Sequence, residues 1–563
     1  MTEDAYLTVL AASLGTSYEP LERISRADCP LDDDQLVQAA AAGLLPVCEA
    51  GEIVWIIAPR CLTARRLASQ SQPAWLQSFR LTSSERLLRF VARYTQKALG
   101  RRAADGLRHS RPLFSNAPRR HGAKRIAVLG FVPLAVTILF LLSAPTIEAL
   151  ATLLCAVFLG AAGLRLLSVA FARQAPRSST RVADHELPIY TIICALYREA
   201  NVVDGLVAAI RSLDYPPEKL DVKLVVEADD HDTRRALARL ELGPPFEIIT
   251  APRNGPRTKP KALNVALPFA RGSFTVVYDA EDVPEPDQLR RAVDTFMVAD
   301  EGLACVQAAL TVDNTTDSWL ARMFTAAYAG QFDAFLPGLA ALHLPFPLGG
   351  SSNHFRTAVL RQVGGWDPYN VTEDADLGIR LYRFGYRSAA LSSATYEEAP
   401  ARFGPWLRQR TRWYKGWMQT WLVHMRRPAR LVRELNPAGA IAFQLFLACN
   451  VLAALIHPVF MAGLCWSLFA ASPLQLVSMH AAPVFVATLC CGYASTIALD
   501  VVGLRRRRLL AHAWVLLLTP LYWFLLSVAA WRALFQLLHD PQGWEKTEHG
   551  LARTSRLAES EGY

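Results

Sequence analysis

Long apolar runs flank a polar central region and constrain what this chain can fold into. They lie at 126–142, 147–172, 441–471, 481–504 and 509–538. A helix that crosses a membrane needs about 20 consecutive apolar residues, which these runs approach or exceed. Since 52% of the residues are hydrophobic and the mean hydropathy is +0.18, a mixed membrane and water-exposed protein is favoured. We therefore expect a transmembrane helical hairpin at 126–172, a water-exposed core at 185–425, and a transmembrane region of three or four helices at 436–538.

Short basic runs lie beside the apolar runs, for example Arg119-Arg120, Lys124-Arg125 and Arg505 to Arg508. They contribute much of the formal net charge of +9. This pattern is typical of the cytoplasmic flanks of membrane helices rather than of nucleic-acid binding. We therefore expect a multi-pass protein of the inner (plasma) membrane with a cytoplasmic core, the lipid bilayer as a partner, and no nucleic acid.

The first apolar patch of the chain carries acidic residues and lacks a basic start, so no signal peptide is predicted. The ten cysteines form no C-x-x-C pair and no Cys/His cluster with zinc spacing. We interpret them as reduced residues that mostly serve packing.

Residues 1–100 predict a small cytosolic α+β domain, with helices at 6–14, 32–42 and 81–99 and a hairpin within 44–57. A basic, proline-containing linker is expected at 101–125. The arrangement is similar to the N-terminal domain of type II secretion and pilus ATPases, some of which bind cyclic di-GMP. The resemblance implies a regulatory or docking role, with a regulatory protein or cyclic di-GMP as partner. A purely structural module is the alternative.

Strand-like and helix-like segments alternate in the polar region. Strands are predicted at 188–194, 222–226, 246–250 and 274–278, and the first two are followed by helices. This alternation favours a mainly parallel sheet that is covered on both faces. Ligands of such sheets collect beyond the carboxyl ends of the strands.

Polar motifs follow two of these strands. Asp279 and Glu281 come after the fourth strand and can hold a divalent cation through oxygen ligands, with Asp282 as the next candidate. Asp229 and Asp230 come after the second strand, where a carboxylate can accept from a nucleobase or a ribose. A solvated turn is the alternative for either motif.

Further groups could bind an anionic nucleotide. Lys259 and Asn264 lie in a basic segment before a predicted helix, and lysine ammonium groups suit phosphates. Tyr197 and Glu199 follow the first strand and could cradle a base. The alternative for Lys259 is an ordinary basic loop.

Two motifs near the end of the polar region complete the set. Asp374, in Thr372-Glu373-Asp374, lies at a predicted helix start, where the helix dipole favours its ionised form and makes it available as a general base. An N-cap that only stabilises the helix is the alternative. The second motif is Gln409-x-x-Arg412-Trp413. Its indole can bind a sugar ring and its guanidinium a diphosphate, and the surrounding stretch also suits a membrane interface.

The order of these motifs resembles the processive, inverting family 2 glycosyltransferases, which include bacterial cellulose, chitin and hyaluronan synthases. Their pattern is an Asp, a D-x-D, a T/G-E-D and a Q-x-x-R-W, and this chain departs from it in having Glu281 at the third position of D-x-D. The resemblance implies a GT-A domain at 185–400, interfacial helices at 401–435 and a polar tail at 539–563.

The resemblance also implies the roles of the residues. Asp374 would be the catalytic base, and Asp279 with Glu281 would hold Mg²⁺ or Mn²⁺. The donor would be a UDP-sugar and the acceptor a growing polysaccharide, contacted by Glu373, Gln409, Arg412 and Trp413. Two alternatives remain: a non-processive polyprenyl-phosphate glycosyltransferase, and a degenerate transferase that acts as a membrane scaffold or receptor.

Overall fold

The computed structural model describes residues 3–59, 64, 67, 79–118, 144–172, 181–469, 482–543 and 545. The predicted first membrane helix at 126–142 and most of the tail at 539–563 lie outside these residues. The chain forms two compact units. Unit 1 contains Met1–Pro112, Ser178–Asp300 and Ser351–Pro368, and unit 2 contains Leu113–Arg177, Glu301–Gly350 and Tyr369–Tyr563.

The strands are β1 (Ser17–Tyr18), β2 (Leu44–Glu49), β3 (Glu52–Ile57), β4 (Phe79–Leu81), β5 (Tyr190–Leu196), β6 (Leu220–Glu227), β7 (Phe246–Ala251), β8 (Phe274–Tyr278), β9 (Val283–Pro284), β10 (Leu303–Val312), β11 (Asn353–Arg356) and β12 (Arg387–Glu397). The helices are α1 (Glu3–Ser13), α2 (Asp33–Ala41), α3 (Ser84–Tyr94), α4 (Gln96–Ser110), α5 (Ala144–Phe171), α6 (Val203–Arg211), α7 (His231–Arg239), α8 (Lys259–Ala266), α9 (Gln288–Val298), α10 (Trp319–Gly330), α11 (Leu336–Ala341), α12 (Thr357–Gln362), α13 (Glu373–Arg383), α14 (Phe403–His424), α15 (Pro428–Phe443), α16 (Cys449–Phe469), α17 (Ala482–Arg506) and α18 (Thr519–His539).

The N-terminal part of unit 1 contains a small sheet in the order β1-β4-β3-β2. The predicted hairpin is present, with β2 antiparallel to β3. The single helix predicted at 81–99 is wrong, because α3 ends before Thr95 and α4 starts after it. The Thr95 hydroxyl donates to the Val91 carbonyl at 2.8 Å, and its φ of −116° departs from helical geometry.

The linker predicted at 101–125 is also wrong over its first part, because α4 continues to Ser110. The helix buries Ala103, Ala104 and Leu107 and packs on α8. These residues recur with helical spacing among arginines, so a basic composition concealed an apolar face.

The larger sheet of unit 1 has the order β7-β6-β5-β8-β11. The four strands predicted from the polar region are β5 to β8, and they pair in parallel. β11 adds an antiparallel neighbour to β8. Every residue of β6 is buried, as expected for a central parallel strand covered on both faces.

Unit 2 contains the parallel pair β10 and β12 and the long apolar helices. In the described part of the chain, four helical segments are long and apolar enough to cross a membrane: Ala149–Phe171, Pro428–Ala462, Pro483–Arg506 and Leu510–His539. The second apolar run of the sequence is therefore helical. The second of these four segments, Pro428–Ala462, bends at Asn436, whose φ is 58° and ψ 168°. The bend arises because Pro437 has no backbone N–H and cannot continue a hydrogen-bonded helix.

Candidate active site

The loops after three neighbouring parallel strands carry the first group of predicted residues. In unit 1, Tyr197 follows β5, Asp229 follows β6, and Asp279 follows β8. Because these strands pair in parallel, their carboxyl ends lie at one edge of the sheet. The sequence-based placement of these motifs at strand ends is therefore what the structure has.

Asp229 and Asp230 have different environments. Asp229 forms an ion pair with Arg257 at 2.8 Å, and in the described chain its buried Oδ1 has no hydrogen-bond partner. Asp230 instead accepts from the Thr233 amide at 3.1 Å and from the Arg198 amide, and it caps α7. Asp229 thus retains an acceptor for a ligand hydroxyl or amine, whereas both carboxylate oxygens of Asp230 accept from backbone amides.

The Tyr197-Arg198-Glu199 turn is held by the same cap. Arg198 has a φ of 57° and its guanidinium lies 5.1 Å from the centre of the Tyr197 ring. Glu199 is buried, and its amide donates to the Thr233 hydroxyl at 2.9 Å. Asp230 therefore fixes the backbone that presents Tyr197 and Glu199.

The two lysines of the basic segment lie on carboxylates. Lys259 forms an ion pair with Asp279. Lys261 is fully buried and forms an ion pair with Glu227 at 3.0 Å. Burial raises the pKa of Glu227, although the Lys261 ammonium opposes this shift.

Asn264 has a structural role in this state. Its amide nitrogen donates to the Ala103 and Trp366 carbonyls at 3.1 and 2.8 Å, and its oxygen accepts from the Trp366 amide at 3.1 Å. Both ends of the side chain are therefore bonded to backbone. The nucleotide-sugar contact predicted for Asn264 stays a prediction.

The D-x-E-D loop distinguishes its acidic residues. Asp282 is buried, and its carboxylate accepts from the Asp279 amide at 2.7 Å and from the Ser351 hydroxyl. Asp279 and Glu281 are each partly exposed. Asp282 therefore holds the turn, and Asp279 with Glu281 is the pair that faces solvent.

The Asp279 carboxylate already binds a positive charge, which is what a divalent cation at this place would supply. The ammonium group of Lys259 lies on Asp279, so a cation already occupies that carboxylate. In the described residues, no group of three or more His, Cys, Asp or Glu side chains could hold a metal by itself. A magnesium-like ion bound here would therefore take its remaining ligands from substrate phosphates and water, as such ions commonly do.

Unit 2 carries the second group of predicted residues. Asp374 is the second residue of α13 and its carboxylate accepts from the Ala375 amide at 2.8 Å. Glu373 is buried beside it. Asp374 is only half-buried, so one of its faces remains open to solvent at the positive end of the helix.

A buried charge network begins two residues beyond Asp374 on α13, and none of the sequence motifs indicated it. Asp376 accepts from Arg380 at 2.9 Å and contacts the His424 ring nitrogen at 3.1 Å. Burial alone would raise the pKa of Asp376, but Arg380 and His424 hold it below its usual value. The spacing of Asp376 and Arg380 by four residues was the only sequence signal.

The Q-x-x-R-W motif lies on α14, with Gln409 buried and Arg412 and Trp413 partly exposed. The Trp413 ring is parallel to that of Tyr328, with centres 6.2 Å apart and planes at 11°. In the described chain, the buried oxygen of Gln409 has no hydrogen-bond partner. The motif thus supplies the aromatic ring of Trp413 and, at Gln409, a carbonyl oxygen that can accept a hydrogen bond.

Arg410 and two aromatic residues of α10 surround Trp413, and no local pattern indicated the aromatic pair. The Arg410 guanidinium lies 4.4 Å from the ring centres of both Phe324 and Trp413. Tyr328 hydrogen-bonds Glu397, and burial raises the pKa of Tyr328 with Glu397 adding to the shift. Phe324 and Tyr328 come from α10, far from Trp413 in sequence.

Helix α14 is fixed to the loop that precedes Asp374. The Gln419 side chain accepts from the Val371 amide at 3.1 Å, and Asn370 donates to the Thr420 hydroxyl at 2.9 Å. Gly416 leaves room for the Thr372 side chain. The helix that carries Gln409, Arg412 and Trp413 is therefore joined to the segment that carries Asp374.

Comparison with known proteins agrees with this fold. Residues 186–416 match the model of the family described as glycosyltransferase like family 2. The chain is 28% identical over 244 residues to a probable glycosyltransferase, YdaM, of Bacillus subtilis, covering 41% of this chain and 56% of that protein. It is 28% identical over 278 residues to a probable glucomannan 4-beta-mannosyltransferase of Arabidopsis thaliana, covering 47% of each chain.

A beta-monoglucosyldiacylglycerol synthase of Trichormus variabilis is 27% identical over 269 residues, covering 46% of this chain and 55% of that protein. The chain spans about half the length of these curated relatives. Among solved structures, the mannosyltransferase PcManGT from Pyrobaculum calidifontis, in complex with GDP-Man and Mn²⁺, matches with a TM-score of 0.43 and 22% identity, covering 67% of this chain and 99% of that one.

The family resemblance inferred from the four motifs is confirmed for the domain itself. The processive class and the likeness of the N-terminal part to secretion ATPases stay predictions. Residues 186–416 therefore form a glycosyltransferase family 2 domain of the GT-A type, in a chain that also carries apolar helices of membrane-spanning length.

Proposed function

We propose that the protein is an inverting, processive glycosyltransferase of the inner membrane that polymerises sugars from a UDP-sugar into a β-linked extracellular polysaccharide. The observation that carries the proposal is the connection between α14 and the Asp374 loop, through Gly416, Gln419 and Thr420. It couples the general base to the Q-x-x-R-W motif, which goes with chain-extending members. Translocation of the polymer by the apolar helices and a cytoplasmic catalytic domain belong to the same proposal.

The catalytic step would be a direct displacement. Asp374 accepts the proton of the acceptor hydroxyl, whose oxygen attacks the anomeric carbon as the bond to the departing diphosphate breaks. The helix dipole at the start of α13 keeps the carboxylate ionised until it takes that proton. The configuration at the anomeric carbon inverts, which gives a β-linkage from an α-linked donor.

The other residues would bind and orient the substrates. Asp229 accepts from the base or ribose of the donor through its unfilled oxygen. Asp279 and Glu281 would hold Mg²⁺ or Mn²⁺, which neutralises charge on the diphosphate when bound. Trp413, whose ring stacks on Tyr328, would bind the acceptor sugar with its indole face. The Arg412 guanidinium would donate two parallel hydrogen bonds to phosphate oxygens.

Product sizing with a panel of donors tests the proposal. Membrane vesicles that contain the full chain would receive radiolabelled UDP-glucose, UDP-GlcNAc or GDP-mannose, and the products would be sized and digested with linkage-specific hydrolases. We expect one UDP-sugar to give a polymer. A single lipid-linked sugar would instead support a non-processive transferase, in keeping with the lipid named for the Trichormus relative. Failure to release nucleotide from any donor would support a degenerate transferase.

A further inference from the structure

Helix α4, in the N-terminal part of unit 1, packs a face of small residues on the segment 252–264. The face consists of Gly100, Ala103 and Ala104, all buried, at the spacing of one helix stripe. Small side chains allow the backbone of α4 to approach the segment directly. The N-terminal residues and the catalytic-domain residues of unit 1 therefore share one packed interface.

The closest approaches involve two glycines. A Cβ at Gly100 would lie 2.9 Å from the Cβ of Asn254 and 3.2 Å from that of Pro252. A Cβ at Gly255, where φ is +84°, would lie 2.5 Å from the Cβ of Ala104. Since neither pair has room for one more carbon atom, any larger side chain on this face must displace the loop at 252–259.

Hydrogen bonds hold both ends of this loop. Lys261 donates to the Pro252 carbonyl at 2.9 Å, and Thr258 donates to the Pro368 carbonyl at 3.0 Å. Asn264 connects α8 to α4 through the Ala103 carbonyl. The loop is thus held on one side by Lys261, which lies on α8 and pairs with Glu227 of β6. On the other side it is held by α4 of the N-terminal part.

The 252–259 loop carries two positively charged side chains that contact the carboxylates at the sheet edge. Arg257 lies on Asp229 at 2.8 Å, and Lys259 lies on Asp279. Arg257 lies on the loop and its side chain is half exposed, so the path of the loop sets where its guanidinium lies. Lys259 lies where the loop enters α8. A shift of the loop would therefore move positive charge at the place where a diphosphate would bind.

We infer that α4 is a brace for the 252–259 loop, and that the N-terminal segment thereby sets the affinity of the protein for the nucleoside diphosphate part of its donor. The inference rests on the proposed function of this edge as the donor site. It assigns Gly100, Ala104 and Asn264 as positioning residues. Any partner or ligand that moves α4 would act first on donor affinity rather than on the chemical step.

A pair of glycine substitutions in one helix tests the brace. Gly100→Leu forces a side chain into Pro252 and Asn254, whereas Gly106→Leu is a matched control, since a Cβ at Gly106 meets no described atom within 4 Å. Titration of the full-length protein with UDP, without sugar or acceptor, should give a dissociation constant raised about tenfold for Gly100→Leu. Gly106→Leu should bind UDP like the unaltered protein, and the donor KM should change in parallel while kcat changes less.

A milder variant guards against misfolding. Gly100→Ala should weaken UDP binding, and the added substitution Asn254→Gly, which removes the opposing Cβ, should restore it. Equal UDP affinity in the unaltered protein and Gly100→Leu, or a loss of kcat with the donor KM unchanged, would overturn the brace while leaving the proposed function intact. Absence of UDP binding in the unaltered protein would count against the proposed function itself.

Discussion

Gly416 of α14 lies directly against Thr372, the residue before the Glu373-Asp374 pair. A Cβ at Gly416 would be 2.7 Å from the Cβ of Thr372, which is well inside van der Waals contact. Only a glycine permits this approach, and the flanking hydrogen bonds of Gln419 and Thr420 hold it in register. The position of the proposed base thus depends on a residue that has no chemistry of its own.

Gly416→Ala should therefore slow catalysis. The methyl group must push Thr372 away and displace Asp374 by a fraction of an ångström, so we expect kcat to fall about 10- to 100-fold. Gly404→Ala, in the same helix, is the control, because its Cβ would come no closer than 3.8 Å to the Arg408 side chain. Initial rates of sugar transfer measure the effect. Similar rates for the two variants would contradict it.

Asp374→Asn should abolish sugar transfer while donor binding persists. The amide keeps the size of the side chain but cannot take a proton, and removal of a general base typically costs about 10² to 10⁴ in rate. Asp232→Asn, at an exposed ion pair with Arg235, is a matched change outside the site. Polymer synthesis and UDP binding should be measured on the same membranes. Polymer made at the normal rate by Asp374→Asn would show that another group is the base.

Substitution of Glu281 should change the metal dependence of activity, whereas substitution of Asp282 should change the stability of the fold. Glu281→Gln should raise the Mg²⁺ or Mn²⁺ concentration needed for half-maximal activity and leave the unfolding temperature unchanged. Asp282→Asn should lower stability by about 1–3 kcal/mol, because the buried carboxylate accepts from the Asp279 amide and the Ser351 hydroxyl. Metal titrations and thermal unfolding check both, and removal of metal by EDTA should stop transfer reversibly. The reverse pattern would make Asp282 the metal ligand.

Acid should destabilise the fold through buried histidines. Burial lowers the pKa of His354 to about 3, where its ring contacts Tyr190 and Gln288, and burial also lowers the pKa of His424. An unfolded histidine binds a proton near pH 6.5 and the folded one does not, so stability is complete above that pH. For His354 this stability is then lost as the pH falls towards 3, at up to about 1.4 kcal/mol per pH unit.

Thermal unfolding midpoints between pH 7.5 and 5 test this dependence. His354→Gln should unfold at a lower temperature than the unaltered protein at pH 7.5 but with a shallower pH dependence, because one titrating group is gone. An unfolding temperature that rises on acidification, or an identical slope in the variant, would refute the assignment.

The pattern of strands was predictable because each of β5 to β8 is a short run rich in β-branched and other apolar residues, bounded by turn residues. Strand ends in a parallel sheet share one edge, so Asp229 and Asp279 could be placed at a common edge from sequence. Asn264 and Asp230 could not be assigned in the same way. Their side chains bond to the backbone of residues distant in sequence or to a turn, and a motif does not reveal which partner an amide or carboxylate finds.

The sequence by itself determined the alternation of strands and helices, the apolar helices of spanning length, and the residue types at the sheet edge, since each follows from local periodicity and composition. Only the tertiary structure decided that α4 packs on α8, that Trp413 is backed by Tyr328, and that Gly416 fits against Thr372. The physical reason is that close packing joins residues far apart in the chain, and local propensity carries no information about which surfaces meet.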